Sequence, residues 1–273
     1  MVKSDSEGAQ TDGPKVGKQW KGLQVCGIYP LSSDAATSLV ICSGSVVDFE
    51  GDAIVNAANE GCITGGGVDG AITDAGGPEL AEARRNLPVL DTKRTRCPTG
   101  DAKLTVGGRL KAQYCIHAVG PNYTIQVDLK KKSMEECDAL VTKAYSSAME
   151  CARDKALRSV AFSLISSSIF RGSQTLEAVL ASGIKGIQGG VYPELQEVAL
   201  VAFTHEERST LEALCGEILS NAPSNLGSSS QPPDDNSTQE NGHQKPSTTL
   251  DGKIQQEPAQ QPLQEVSTPD AQT

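Results

Sequence analysis

Long apolar runs are missing from this chain: none approaches the ~18 consecutive residues of a membrane-spanning helix, which leaves no candidate span. Histidine is scarce, with 3 in 273 residues. His117, His205 and His243 lie far apart, and no two cysteines have C-x-x-C spacing, so no zinc or histidine-metal pattern is visible and no cofactor is expected. Aromatic residues make up only 4% of the chain, and beyond residue 220 there is no aromatic residue, Cys or Met at all. Basic charge is in deficit too: 24 Lys and Arg against 34 Asp and Glu leave a net charge of −10. With no basic stripe to offset that balance, binding to a nucleic-acid backbone is disfavoured. A Gly-x-Ser-x-Gly elbow is absent, and the Gly-x-Gly-x-x-Gly spacing of Gly65, Gly67 and Gly70 does not directly follow a strand, as the dinucleotide fingerprint requires, so neither the serine-hydrolase nor the classical dinucleotide motif supplies the chemistry.

What is present divides the chain into three. Residues 220–273 are rich in Ser, Gln, Pro, Asn and Asp and cannot bury enough apolar surface to offset their ordering entropy; a disordered acidic tail is expected there. Asp234, Asp235, Glu240, Asp251, Glu257, Glu265 and Asp270 against Lys245 and Lys253 place −5, half of the net charge, on that tail. Residues 1–21 are polar and Gly-rich, lack the apolar core of a secretion signal, and are expected to be disordered as well, with Trp20 marking where packing begins. Between them, residues 22–219 are enough for one sizeable core. The 8 cysteines are scattered, which suits buried thiols in a reducing compartment, cytoplasmic or nuclear.

Within that middle region short β-rich runs alternate with helical patterns. Strands are expected at 23–28, 38–43, 53–57, 102–106, 114–119, 159–165 and 198–203, and helices at 68–75, 78–86, 134–154, 173–186 and 205–219. The run Leu39-Val40-Ile41 is apolar without interruption, as a strand covered on both faces should be. Cys137, Leu140, Val141, Ala144, Ala148 and Cys151 recur at three and four residues and mark a helix stripe facing a sheet. The pattern predicts an α/β fold of three layers, with a mixed, mostly parallel central sheet.

The most informative stretch is Asn56-Ala57-Ala58-Asn59-Glu60-Gly61-Cys62-Ile63-Thr64-Gly65-Gly66-Gly67-Val68-Asp69-Gly70. Ile54 and Val55 feed amides and small residues, then three glycines, then a helix carrying an acid. Glycines without side chains let main-chain N–H groups approach an anion, and the helix adds its free N–H groups and positive dipole end. This order resembles the macrodomain family, whose signature is a strand ending in Asn-Ala-Ala-Asn, a glycine run, then Val-Asp-Gly. The resemblance continues in register through Ala71 to Pro78, Cys97-Pro98-Thr99-Gly100-Asp101-Ala102 and Tyr114-Cys115-Ile116-His117-Ala118-Val119-Gly120-Pro121, over roughly residues 22 to 219. Among macrodomains the chain looks most like the MacroD-type ADP-ribose hydrolases.

The resemblance implies a pocket for ADP-ribose. Gly65, Gly66, Gly67 and Val68 would form one diphosphate loop, and Ser166, Ser167, Ser168, Ile169, Phe170 and Arg171 the other. Asn59 would bind the distal ribose, for which an amide is suited because it both donates and accepts. Asn56 would tie the loop from the strand. Asp69 would orient or activate a water, a nearby diphosphate making it a better proton acceptor; its alternatives are positioning without chemistry and simple helix capping.

Several positions depart from the family pattern. Ser45 stands where the family has the Asp that reads the adenine amino group; as an ADP-ribose-binding residue its oxygen would accept a weaker hydrogen bond in place of the lost charge. Thr64 replaces the first of four glycines. Ser168 occupies a usual glycine position and would be strained if its φ were positive. Arg171 replaces another glycine, facing either the diphosphate or solvent. Gly172 falls where an aromatic usually packs on the distal ribose. Phe203 would lie against adenine, or else belong to the core. His117 reads as a structural histidine, and Cys62 has nothing adjacent in sequence to lower its thiol pKa.

Three functions compete: a hydrolase removing ADP-ribose from acidic side chains or from O-acetyl-ADP-ribose, a non-catalytic reader of free or protein-attached ADP-ribose, and a domain that keeps the fold without the ligand. Partners would be ADP-ribose, ADP-ribosylated proteins or O-acetyl-ADP-ribose, with no membrane and with nucleic acid the least favoured.

Overall fold

A computed structural model describes residues 13–31 and 36–220. The expectations for 1–12 and for the tail at 221–273 lie outside the described residues. Eight strands form one sheet: β1 (Gln19–Trp20), β2 (Leu23–Pro30), β3 (Ser38–Ser43), β4 (Ala53–Ala57), β5 (Ala102–Val106), β6 (Tyr114–Ala118), β7 (Ser159–Ser163) and β8 (Glu197–Ala202). Their spatial order is β1-β2-β3-β8-β7-β4-β6-β5. The central pairs β3–β8, β8–β7, β7–β4 and β4–β6 are parallel, and the outer pairs β1–β2, β2–β3 and β5–β6 are antiparallel. Four helices cover the sheet: α1 (Val68–Arg85), α2 (Met134–Asp154), α3 (Leu176–Gln188) and α4 (His205–Ser220). This is the expected three-layer α/β/α arrangement. Among the described residues no helix is long and apolar enough to cross a membrane.

Period-two alternation explains why the central strands are apolar throughout. In β3, Leu39 and Ile41 face the core under α2, α3 and α4, while Val40 and Cys42 face the smaller core under α1. Val160 and Phe162 against Ala161 in β7, and Val198 and Leu200 against Ala199 in β8, repeat the division. Tyr145 of α2 stacks on Phe162 with ring centroids 5.2 Å apart. Packing begins earlier than residue 22, because Trp20 pairs with Leu23 and packs against Phe49 with centroids 5.8 Å apart.

Two features open a crevice. From β4 the chain goes on to β6 and β5 on one side, and from β7 it goes to β8 on the other, so the carboxyl ends of neighbouring β4 and β7 form a topological switch point. There the main-chain ladder between them stops at Val55–Phe162, and the Ser163 hydroxyl takes over: Oγ donates to the Val55 carbonyl at 2.8 Å and accepts from Ala57 N at 3.0 Å. The strand expected to reach residue 165 ends at Ser163 for the same reason. Ile165 N leaves the sheet and donates to the Tyr145 hydroxyl at 3.0 Å.

Candidate functional site

A cavity of about 610 Å3 fills this crevice. Ser45, Asn59, Gly65, Gly66, Gly67, Val68, Asp69, Ser166, Ser167, Ser168, Ile169, Phe170 and Phe203 all line it. The fold thus gathers side chains and loops from the ends of β3, β4, β7 and β8. Arg171 is the exception. Its guanidinium turns back on its own loop, with Nε donating to the Ser167 carbonyl at 3.1 Å and Nη1 to the Gln174 carbonyl at 3.0 Å. Two of its N–H groups are thus engaged by its own loop, and the side chain stands neither on the cavity wall nor free in solvent.

In the first loop, the backbone N–H groups of Gly65 to Val68 have no acceptor among the described residues. Gly65 is required by crowding: a Cβ there would lie 2.6 Å from Asp69 Oδ2 and 3.2 Å from Asn59 Nδ2. Gly67 takes φ 60 at the entry to α1. In the second loop, the N–H groups of Ser166 to Phe170 are likewise without acceptors, although its hydroxyls are engaged: Ser166 Oγ donates to the Pro121 carbonyl at 2.8 Å and Ser167 Oγ to the Leu164 carbonyl at 3.1 Å. The condition that would have strained Ser168 does not arise there; the positive φ of this loop lies two residues earlier. Ser168 has φ −109, whereas Ser166 has φ 58, held by the bond to Pro121.

Asp69 is reached by a buried polar chain that sequence reading found only in part. Asn56 Nδ2 donates to Asp69 Oδ1 at 2.8 Å and to His117 Nδ1 at 3.2 Å, and His117 Nε2 lies 2.9 Å from Thr105 Oγ1. With Nδ1 accepting, the proton sits on Nε2 and points at Thr105. Burial, with help from the nearby Arg84 charge, pushes the His117 pKa down to about 3, so the ring is a neutral strut.

Arg84 completes the chain and was not foreseen. Wholly buried, its Nη2 lies 2.7 Å from Asp69 Oδ1, while Nε donates to the Cys62 carbonyl at 2.8 Å and Nη1 to Thr73 Oγ1 at 2.7 Å. The fold brings it there by breaking α1 at Gly77, with φ 66, just before Pro78. No local pattern marks such a pair, since the two halves of α1 turn at the break. Asp69 Oδ2 is buried against Gly65 without a hydrogen-bond partner among the described residues.

Asn59 remains in its loop. Its Nδ2 donates to the Thr64 carbonyl at 2.9 Å and its Oδ1 accepts from Gly61 N at 3.1 Å, so its turn-forming role is present alongside its place on the cavity wall. Cys62 does have partners that lower its thiol pKa, supplied from outside its sequence neighbourhood: first a hydrogen bond from Cys97, with the charge of Arg84 assisting. All the cysteines are free, and six of the eight are buried. Phe203 is 85% exposed and lines the cavity, which removes the core alternative. Ile169, at 86% exposure, lines it from the second loop. Among the described residues no group of three His, Cys, Asp or Glu side chains could hold a metal ion.

Sequence reading also missed Glu207, which lines the cavity from the first turn of α4. The pattern Thr204-His205-Glu206-Glu207 after a strand is a capping-box signal that could have located it. Thr204 Oγ1 accepts from Glu207 N at 3.1 Å, and Glu207 Oε2 accepts from Phe203 N and Thr204 N, each at 2.9 Å.

Chemically the site offers an anion cradle of main-chain N–H groups, one pinned carboxylate at one end, and an exposed aromatic ring with a second carboxylate at the other. A family model described as Macro domain matches residues 55–179. The chain is 38% identical over 169 residues to a macro domain-containing protein of Caldanaerobacter subterraneus subsp. tengcongensis, covering 60% of this chain and 87% of the relative. It is 39% identical over 168 residues to one of Cupriavidus necator, covering 62% and 91%. Among solved structures, the Oceanobacillus iheyensis macrodomain with ADP superposes with a TM-score of 0.60 at 28% identity, over 68% of this chain and 94% of that one. The Trypanosoma brucei macrodomain in complex with ADP-ribose gives 0.55 at 28% identity, over 68% and 73%. Strand order, the crevice at the switch point and the sequence relatives agree, and the chain belongs to the macrodomain family.

Proposed function

We propose that the cavity binds ADP-ribose and that the protein hydrolyses ADP-ribosyl esters, on acidic side chains or as O-acetyl-ADP-ribose, in the manner of the MacroD-type hydrolases. The observation that carries this reading is the convergence of Asn59, Asp69 and two sets of unpaired main-chain N–H groups on one cavity. The N–H groups of Gly65 to Val68 and Ser166 to Phe170 hold the diphosphate, as main-chain nests and helix starts do. Asn59 faces the distal ribose. With Arg84 and Asn56 on Oδ1, the remaining oxygen of Asp69, Oδ2, is the acceptor for a ribose hydroxyl or a water once the loop yields to substrate. Water then cleaves the ester to ADP-ribose and a carboxylic acid, and much of the rate comes from placement. Binding of ADP or ADP-ribose by the Oceanobacillus and Trypanosoma macrodomains supports the ligand class.

A reader that binds ADP-ribosyl groups without turnover is the second reading. It is favoured by Asp69 Oδ2 being buried and by both ends of the Asn59 amide being engaged within the loop. Calorimetry with ADP-ribose, run beside release of ADP-ribose from a Glu-modified peptide, separates the two. The hydrolase gives binding and release, with release lost in Asp69→Ala; binding without release establishes the reader.

A further inference from the structure

The cavity end farthest along the sheet from β4 is built by β3 and β8. These strands are parallel partners that pair Ser43 with Ala202, and Gly44 N donates to the Ala202 carbonyl at 3.2 Å. Both chains therefore leave the sheet side by side, and Ser45, Phe203 and Thr204 gather at one end of the cavity. The capping box of α4 then folds Glu207 back over the same end, where two backbone N–H groups fix Oε2. Oε1 has no hydrogen-bond partner among the described residues. The result is an acceptor-only oxygen on a carboxylate that cannot swing away, beside an aromatic ring that is 85% exposed. Such a pair suits a flat heteroaromatic ring that stacks on one face and donates an N–H from its edge. Ser45 cannot make this choice, because a hydroxyl donates as readily as it accepts.

We propose that Glu207 is the base-reading residue of this protein: its Oε1 accepts from the exocyclic amine of adenine, and the site rejects a 6-oxopurine. This rests on the ADP-ribose reading above and names the residue that selects the nucleobase within it. A hypoxanthine carbonyl at the same place would set acceptor against acceptor and leave a carboxylate oxygen facing like charge density.

The test uses the full chain with ADP-ribose and inosine diphosphate ribose, titrated calorimetrically. Wild type is expected to prefer ADP-ribose by about tenfold or more, the size of one hydrogen bond to a charged group. Glu207→Gln keeps the capping box, since Gln serves at that position too; its amide oxygen stays on the two backbone N–H groups and its NH2 faces the cavity. An acceptor has become a donor, and the preference is expected to reverse toward inosine diphosphate ribose. Glu207→Ala removes the group and should bring the ratio near one, with melting temperature recorded for both variants to show that each is folded. Equal binding of the two ligands by wild type, or a preference unchanged in both variants, would overturn the assignment while leaving ADP-ribose binding intact. If wild type binds neither nucleotide sugar, the ADP-ribose reading itself falls, and this one with it.

Discussion

Arg84 and Asp69 form a buried ion pair, and buried pairs are costly to break one partner at a time because the survivor keeps its desolvation penalty. Arg84→Leu is therefore expected to lower stability by about 3–5 kcal/mol in urea unfolding, with Asp69→Asn in the same background recovering part of the loss by removing the stranded charge. His117 gives a second, pH-dependent signature. The native ring stays neutral down to about pH 3, whereas the unfolded ring takes a proton near 6.5. Below 6.5 the unfolded state thus binds the extra proton, so stability is complete above that pH and is lost as pH falls toward 3. At pH 5 the loss from this residue alone should be about 2 kcal/mol relative to pH 8, and His117→Gln should flatten that part of the profile. A wild-type profile flat from pH 8 to 5 would contradict the neutral strut. These pairings also show the limit of reading by residue. Asn59, Asp69 and the glycines are singled out by the family resemblance of the loop that carries them, but a buried arginine beyond a helix break has no periodic or motif signal, and the turn of Arg171 back onto its own loop depends on carbonyls placed by loop geometry.

At the scale of elements, the central strands were legible because each side of the sheet has its own core: a strand apolar at every position has few other places to go. The short pieces were not. β1 has two residues, the 3-10 turns Val46–Asp48 and Ile169–Arg171 have three each, and none is long enough to show a period. α3 begins at Leu176 rather than 173 because Thr175 caps it, its Oγ1 accepting from Ala178 N, while Gln174 is drawn away to Asp138. How the second loop is held follows from such contacts and leads to a prediction. Gly120, just beyond β6, lies against Ser166 and Ile165; a Cβ there would sit 2.2 Å from Ser166 Oγ and 2.5 Å from Ile165 Cγ2. Gly120→Ala must displace the left-handed Ser166 turn and, with it, the main-chain N–H groups that follow. ADP-ribose affinity is expected to fall by about tenfold or more, since small displacements of preorganised donors are costly, while helix content by circular dichroism is retained. Unchanged affinity would show that the second loop is not a binding element.

For the molecule as a whole, the charge balance and the site belong to different parts of the chain. Half of the −10 net charge lies in residues 220–273, whereas every cavity-lining residue lies between 44 and 207. Among the described residues, the sheet, the cores on its two faces and the four helices all lie within residues 13–220. We therefore expect a chain ending at residue 220 to bind ADP-ribose as the full chain does. The linkage relation makes this quantitative: a ligand that binds only the folded state at one hundred times its Kd adds about 2.7 kcal/mol. For a domain of this size that corresponds to a rise in melting temperature of roughly 5–10 °C. Full-length and shortened chains should show the same rise at the same ADP-ribose concentration, and the same value without ligand. A larger rise in the shortened chain would mean that the acidic segment competes for the site, as a run of carboxylates can compete with a diphosphate for main-chain N–H groups. Raising the salt concentration would then narrow the difference, because attraction through solvent is screened within about 10 Å at 0.1 M, while a hydrogen-bonded nucleotide in an enclosed cavity is affected far less.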